Sequence, residues 1–198
     1  MENNSQKKPD TLPVRLFEQQ PDWLKWLTEN HSTSSGVWLQ LAKKGGTVRS
    51  MSYDEAIEVA LCFGWIDGQK KAQDDQYWLQ KVTPRSVKSV WSKLNKEKAL
   101  ALIQSGKMTP AGLKEIKRAQ LDGRWDAAYD SASRSSVPED FQSALNDNAP
   151  AKQFFETLDR RNRYAVLFRI QTAKNAETRA KKIAQFVQML AKNEKIHP

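Results

Sequence analysis

The residue types best suited to binding an anion are concentrated between Trp65 and Trp91. Lysine and arginine side chains, hydroxyl groups and the N–H groups at a helix N-terminus all favour negative charge. Such groups occur in two short runs, and tryptophans near them in sequence could form walls around them. We therefore hypothesise a site for a small anionic ligand. Its candidate residues are Trp65, Asp67, Lys70, Lys71, Arg85, Ser86 and Trp91.

The same residue types also have a purely structural interpretation. Asp67-Gly68 is a tight-turn dipeptide, Ser89 or Ser92 can be a helix N-cap, and tryptophans commonly fill a core. Both interpretations stay open at this point. Exchange of Arg85 and Ser86 for alanine would distinguish them, since a real site would lose its anionic ligand.

Residues that support covalent or metal chemistry are few. His31 and His197 are the only histidines and Cys62 is the only cysteine, so neither a catalytic triad nor a common metal-ligand spacing is present. Asp74-Asp75 fits a solvated turn better than a catalytic pair. We predict no catalytic residue, metal or cofactor. The alternative is an enzyme of unknown reaction that uses Asp67, Lys70, Arg85 and Ser86 on a small anionic substrate.

Most of the excess positive charge lies at the end of the chain. The net charge is +9, and residues 151–198 contain eleven Lys and Arg against four Asp and Glu. We predict a basic face that could contact an acidic protein or, without sequence specificity, nucleic acid. The alternative is a solvated face that only keeps the helices soluble. The candidate residues are Arg160, Arg161, Arg163, Arg179 and Lys182.

The candidate anion-binding residues are predicted to lie on a hairpin that follows a buried helix. Ser52 and Glu55 form a capping-box pattern, and Gly64 suits the left-handed position that ends a helix. Strand-like runs then begin at Trp65 and at Tyr77, with Asp67-Gly68 expected to turn the chain. A strand is also predicted over 37–42, and a short edge strand over 47–49. Together these predict an α+β fold with a small antiparallel sheet and packed helices.

Composition shifts divide the chain into four parts. Residues 1–20 are expected to form a loose tail, 21–130 an α+β domain, and the small, polar stretch 131–137 a linker. Residues 138–198 should form a basic helical module. Its last helix shows Ile183, Phe186, Val187 and Leu190 at helical spacing.

Several motifs resemble one known family in order and spacing. They are Ala-Leu-Cys-Phe-Gly-Trp-Ile-Asp-Gly at 60–68, Thr-Pro-Arg-Ser at 83–86, Met-Thr-Pro-Ala-Gly at 108–112, Asp-Gly-Arg-Trp at 122–125 and Ala-Lys-Asn-Ala-Glu-Thr-Arg at 173–179. These motifs resemble the YdeI/OmpD-associated family, also called bacteriocin-protection proteins, from about Trp23 onward. The resemblance implies a role in resistance to bacteriocins or cationic peptides.

The hydropathy pattern and the net charge indicate where and how such a protein would act. The N-terminal residues lack the apolar stretch of a secretory signal, and no run is long enough to span a membrane, so a cytoplasmic protein is predicted. A net charge of +9 opposes direct capture of a cationic peptide. We therefore expect a binding or stress-protection protein whose protective effect is indirect.

Overall fold

The computed structural model describes residues 12–132 and 134–198. Within them the chain forms one four-stranded sheet and eight α-helices, which confirms the predicted α+β class. Backbone contacts divide the chain into two compact units. The first contains the described residues up to Ser89 together with Lys98–Arg118, and the second contains Val90–Glu97 and Ala119–Pro198.

The sheet lies in the first unit and has the strand order β1-β2-β4-β3. Its strands are β1 (Val14–Leu16), β2 (Val37–Ala42), β3 (Trp65–Ala72) and β4 (Tyr77–Pro84). β2 pairs antiparallel with β4, and β4 pairs antiparallel with β3. β1 pairs parallel with β2, so the sheet is mixed where we expected it to be antiparallel throughout.

Two helices of the first unit bring the main apolar residues to the sheet. They are α1 (Gln20–Asn30) and α2 (Tyr53–Cys62). The capping box predicted at the start of α2 is present, since Ser52 and Glu55 bond to each other's backbone N–H groups. Six of the ten residues of α2 are buried, as expected of a helix that is apolar around most of its circumference. Gly64 follows α2 with a φ of +72°, in the left-handed conformation that was predicted.

Two local predictions in this unit are wrong. Asp67-Gly68 is not a turn, because β3 continues through it to Ala72 and the register shifts between Asp67 and Lys70 instead. The chain turns at 73–76, where Asp74 accepts hydrogen bonds from the N–H groups of Gln76 and Tyr77. Residues 47–49 form no strand, and the edge position is taken by β1. β1 lies within the segment 1–20 that was predicted to be a loose tail, and residues 1–11 of that segment lie outside the described part of the chain.

Two further helices, α3 (Lys93–Gln104) and α4 (Pro110–Leu121), each have residues in both units. The start of α4 is fixed to the end of α2 within the first unit. The Thr109 hydroxyl and N–H both donate to the Cys62 carbonyl, at 2.5 and 3.2 Å. Gly112 lies where an added Cβ would be 2.4 Å from the same carbonyl oxygen. The 108–112 motif is therefore a close helix-to-helix junction.

The second unit contains the C-terminal helices and has its own core. Phe141, Phe155, Val166, Ile170 and Leu190 are among its buried residues. The apolar stripe predicted on the last helix packs into this core, with Val187 partly exposed. The helices are α5 (Glu139–Asn146), α6 (Ala149–Thr157), α7 (Arg160–Gln171) and α8 (Ala176–Ala191). We refer to these four helices as the helical module.

The domain boundaries proposed from the sequence, with a linker at 131–137, stay a prediction. Among the helices that the structure describes, none combines the length and the apolar character that crossing a membrane requires.

Candidate functional site

The lysines of the β3–β4 hairpin lie against tryptophan rings. Lys70 Nζ is 4.0 Å from the centroid of Trp78, and Lys71 Nζ is 4.1 Å from the centroid of Trp38. Lys81 Nζ is 5.8 Å from the same Trp38 ring. Lys70 and Lys71 are adjacent on a strand, so their side chains point to opposite faces. The two lysines therefore belong to two cation–π contacts on different faces of the sheet.

Asp67 is held by the helix that precedes its strand. Tyr53 Oη donates to Asp67 Oδ2 at 2.8 Å, and the Tyr53 ring lies 6.0 Å from Trp78. The irregular stretch after Asp67 is secured by the buried Gln80, whose amide donates to the carbonyls of Gly68 and Gln69 at 3.1 and 3.3 Å. Asp67, Tyr53, Trp78 and Lys70 thus form one partly exposed polar and aromatic group.

Trp65 is part of the core. It is 1% exposed, its ring meets Trp23 and Trp26 edge-on, and its Nε1 donates to the carbonyl of His31 at 3.3 Å. A side chain with these contacts supports the hairpin from inside, and its ring is closed to a ligand arriving from solvent.

Arg85 and Ser86 lie just past the end of β4, in very different surroundings. Arg85 is 6% exposed and its N–H donates to the carbonyl of Gly64 at 3.0 Å. Its own carbonyl accepts from the Arg118 guanidinium at 3.4 Å, and Arg118 forms an ion pair with Glu115. Ser86 is exposed, and its hydroxyl accepts from the N–H of Lys88 at 3.2 Å. Arg85 is thus a buried cation, and Ser86 stabilises a surface turn.

Trp91 belongs to the second unit, whereas the other six candidates belong to the first. Its ring meets Trp125 edge-on at 4.8 Å, and Lys96 Nζ lies 5.2 Å from the Trp125 centroid. The candidate set is therefore distributed over several local environments. The role of these residues in binding an anion stays a prediction.

Of the five predicted basic-face residues, three make contacts inside the helical module. Arg179 forms a two-point ion pair with Asp140, with N–O distances of 2.6 and 2.8 Å. Lys182 Nζ donates to the carbonyl of Arg169 at 2.8 Å, near the end of α7. The Arg163 guanidinium lies 4.5 Å from the Phe155 ring centroid. Arg160 and Arg161 are exposed in the first turn of α7.

Several residues that the sequence analysis did not include accompany the predicted ones. They are Trp38, Tyr53, Gln80 and Lys81. The pairing of strands β2 and β4 places Trp38 directly opposite Lys81. Strand alternation could have suggested this pairing, but the register shift in β3 is not visible in the sequence.

Cys62 has the surroundings of a structural thiol. It is buried at the end of α2, and burial raises the pKa of its thiol to about 11. The thiol therefore remains protonated near neutral pH, and the protonated form is a poor nucleophile. In the parts of the chain that the structure describes, no group of three or more His, Cys, Asp or Glu side chains could hold a metal ion.

The fold defines an α+β protein followed by a helical module with a core of its own, and two family models match these parts separately. Residues 15–115 match a family described as a domain of unknown function, DUF8412, and the chain belongs to that family. Residues 135–193 match the family described as Bacteriocin-protection, YdeI or OmpD-Associated.

The resemblance drawn from the motifs is thus confirmed at 135–193, and the N-terminal half is matched by a different family model. Comparison with curated proteins and with solved structures found no match.

Proposed function

We propose that this protein is a non-catalytic binding protein that contributes to resistance against bacteriocins or cationic peptides. The observation that carries the proposal is the match of residues 135–193 to a bacteriocin-protection family. The buried residues of the α5–α8 core all lie within this range, so the matched segment is a packed part of the chain. A net charge of +9 favours indirect protection through a partner over capture of the cationic peptide itself.

A survival assay tests this function. A bacterial strain sensitive to a cationic peptide would express the full chain, an empty vector, or the chain with Leu190→Asp. Leu190 is fully buried, so a charge there should unfold the module. We expect the parent chain alone to raise the lethal peptide concentration. Equal survival of the parent and vector strains, with parent protein present and folded, would contradict the proposal.

We further propose that the first unit binds a small anion near the β3–β4 hairpin, with Lys70 as the direct contact. Lys71 lies on the opposite face of β3 and Arg85 is buried, so both add positive potential without touching the ligand, and Ser86 is the exposed hydroxyl nearest to Arg85 in sequence. Two features support this idea: Lys70 and Lys71 are exposed beside aromatic rings, and Arg85 is a buried cation. The test is thermal unfolding in the presence of inorganic phosphate and a panel of phosphorylated and carboxylated metabolites. A ligand at 100 times its Kd should stabilise the fold by about 2.7 kcal/mol.

Lysine variants make the anion test specific. Lys70→Gln with Lys71→Gln should abolish a shift in Tm seen in the parent, whereas Lys117→Gln with Lys114→Gln removes the same charge from exposed positions on α4. Arg85→Ala alone is less informative, because loss of a buried side chain can destabilise the fold. The anion proposal fails if every ligand that stabilises the parent stabilises the Lys70, Lys71 double variant equally.

A further inference from the structure

The helical module has an open groove of about 640 Å³ between α5 and α8. Its existence follows from the small side chains on the facing positions, because Ala180 and Ala184 on α8 and Ala144 on α5 leave the space between the helices unfilled. Ile183 and Val187 complete an apolar floor. From Ala180 to Val187 the floor extends for about 10 Å, or two helical turns.

The α5 side of the groove is acidic although the module as a whole is basic. Asp140 and Asp147 line the groove at the two ends of α5, and Glu139 precedes Asp140. The charge of Asp140 is matched by its ion pair with Arg179, and this guanidinium holds the pKa of Asp140 below its ordinary value. Asp147 is exposed at the other end. The groove therefore offers a negative charge beside an apolar floor.

Because dissolved salt screens distant charges, the negative charge of Asp147 affects a ligand in the groove more than the net charge of the chain does. At physiological ionic strength the Debye length is about 8 Å, so exposed charges farther away than that contribute little. A cation seated in the groove would meet Asp147 directly, whereas Arg179, which also lines the groove, is already paired with Asp140, and Lys152 donates to Asn146.

We infer that this groove binds one amphipathic helix of a partner protein, with its apolar face on the floor and a Lys or Arg beside Asp147. A helix places residues i, i+4 and i+7 along one face, and this spacing matches a floor of two turns. The inference deepens the proposed function, on which it rests, because it names the type of partner through which protection would act.

A synthetic helical peptide provides the probe. It would contain about 14 residues, roughly 21 Å of helix, with leucines on one face and two lysines along one flank. Binding of the fluorescently labelled peptide to the full chain would be followed by anisotropy. Ala184→Arg should block the groove and weaken binding at least tenfold, which corresponds to about 1.4 kcal/mol.

The matched control is Gln185→Arg. Gln185 is the next residue on α8, is exposed, and does not line the groove. Both variants place one arginine, with one added positive charge, on an exposed position of the same helix, one lining the groove and one outside it. We expect Gln185→Arg to leave the peptide Kd unchanged. No binding to the parent, or equal weakening by the two variants, would overturn the inference.

The role of Asp147 has a separate measurement. Asp147→Asn should weaken binding of the lysine-flanked peptide and leave a glutamine-flanked version unaffected. Equal effects on both peptides would overturn the assignment of a cation to this position.

Two other occupants give different results. A peptide with three additional lysines on its solvent side represents a free cationic peptide. If it binds more tightly than the original probe, the groove binds cationic peptides and not a partner helix. Concentration-dependent dimerisation in sedimentation velocity that Ala184→Arg abolishes would assign the groove to a second copy of this chain. The inference is supported if the protein remains monomeric and binds the peptide with two lysines more tightly than the peptide with three additional lysines. These outcomes are independent of the survival assay, which can fail or succeed without the groove.

Discussion

At the start of α2, two side chains complete the hydrogen bonding of the backbone. Ser52 Oγ accepts from the N–H of Glu55 at 3.2 Å, and Glu55 Oε2 accepts from the N–H of Ser52 at 2.7 Å. These bonds satisfy N–H groups that the first turn of a helix cannot pair internally. The helix they begin is the one that carries Tyr53 to Asp67.

Removal of the cap should therefore destabilise the fold. We expect Ser52→Ala to lower the free energy of unfolding by about 1 kcal/mol, as is usual for a lost N-cap hydroxyl. Urea denaturation would measure the change. Ser143→Ala, at an exposed serine inside α5, should be nearly neutral. If both substitutions had the same effect, the cap would not contribute to stability.

The cap also predicts a pH dependence. The hydrogen bonds from the Ser52 backbone and then its side chain lower the pKa of Glu55 below 4.5. A lowered pKa in the folded state contributes stability above the unfolded pKa, and this contribution is lost as the pH falls through the folded pKa. The difference in stability between the parent and Glu55→Gln should accordingly be largest near neutral pH and shrink below pH 4.5. A pH-independent difference would contradict this account.

At the scale of elements, the decisive feature of the first unit is the junction between α2 and α4. An added Cβ at Gly112 would be 2.4 Å from the Cys62 carbonyl oxygen and 2.8 Å from that of Leu61, and backbone oxygens cannot easily move away. The two helices approach this closely only because the position has no side chain.

Gly112→Ala should thus be strongly destabilising. We expect a loss of about 2–3 kcal/mol, the upper range for overpacking, measured by thermal or urea unfolding. Gly46→Ala serves as the control, because an added Cβ there would be no closer than 3.4 Å to the nearest atom. A small effect of Gly112→Ala would mean that α4 can shift away from α2.

Elements with strong local signals were predicted well from the sequence. The capping box of α2, the left-handed Gly64 and the strand over 37–42 each depend on neighbouring residues, and the structure confirms them. Asp67-Gly68 was misjudged because long-range pairing of β3 with β4 keeps the backbone extended where local preference favours a turn. β1 has only three residues and forms through pairing with β2, so its sequence alone carries little information.

The candidate site was harder to predict than the fold for the same reason. Residue type identified possible anion ligands, but it could not show that Lys70 and Lys71 lie over different indole rings. Nor could it show that Arg179 pairs with Asp140, which is 39 residues away in sequence. Partners at such distances are set by tertiary structure.

For the whole molecule, net charge overstates the basic surface available to a polyanion. Among the five predicted basic-face residues, Arg163, Arg179 and Lys182 contact groups inside the module, and Arg160 and Arg161 are exposed. If these residues bind nucleic acid without sequence specificity, the number of them that contact phosphates can be measured.

A DNA-retention assay across a salt series answers this question. Each phosphate contact contributes a slope of about −0.9 to a plot of log K against log salt concentration. Two available arginines predict a slope of about −1.8, whereas five would give about −4.5. Arg160→Gln with Arg161→Gln should remove most of the binding. A slope near the steeper value would show that further basic residues, such as the exposed Lys174 and Lys192, also reach phosphates.

The most direct test of the account is the survival of a sensitive bacterial strain at increasing concentrations of a cationic peptide. The strain would express the parent chain, Ala184→Arg or Gln185→Arg at equal levels. We expect the parent and Gln185→Arg to raise the lethal concentration and Ala184→Arg to leave it unchanged. Protection by all three would contradict the role of the groove, and absence of protection by the folded parent would contradict the proposed function itself.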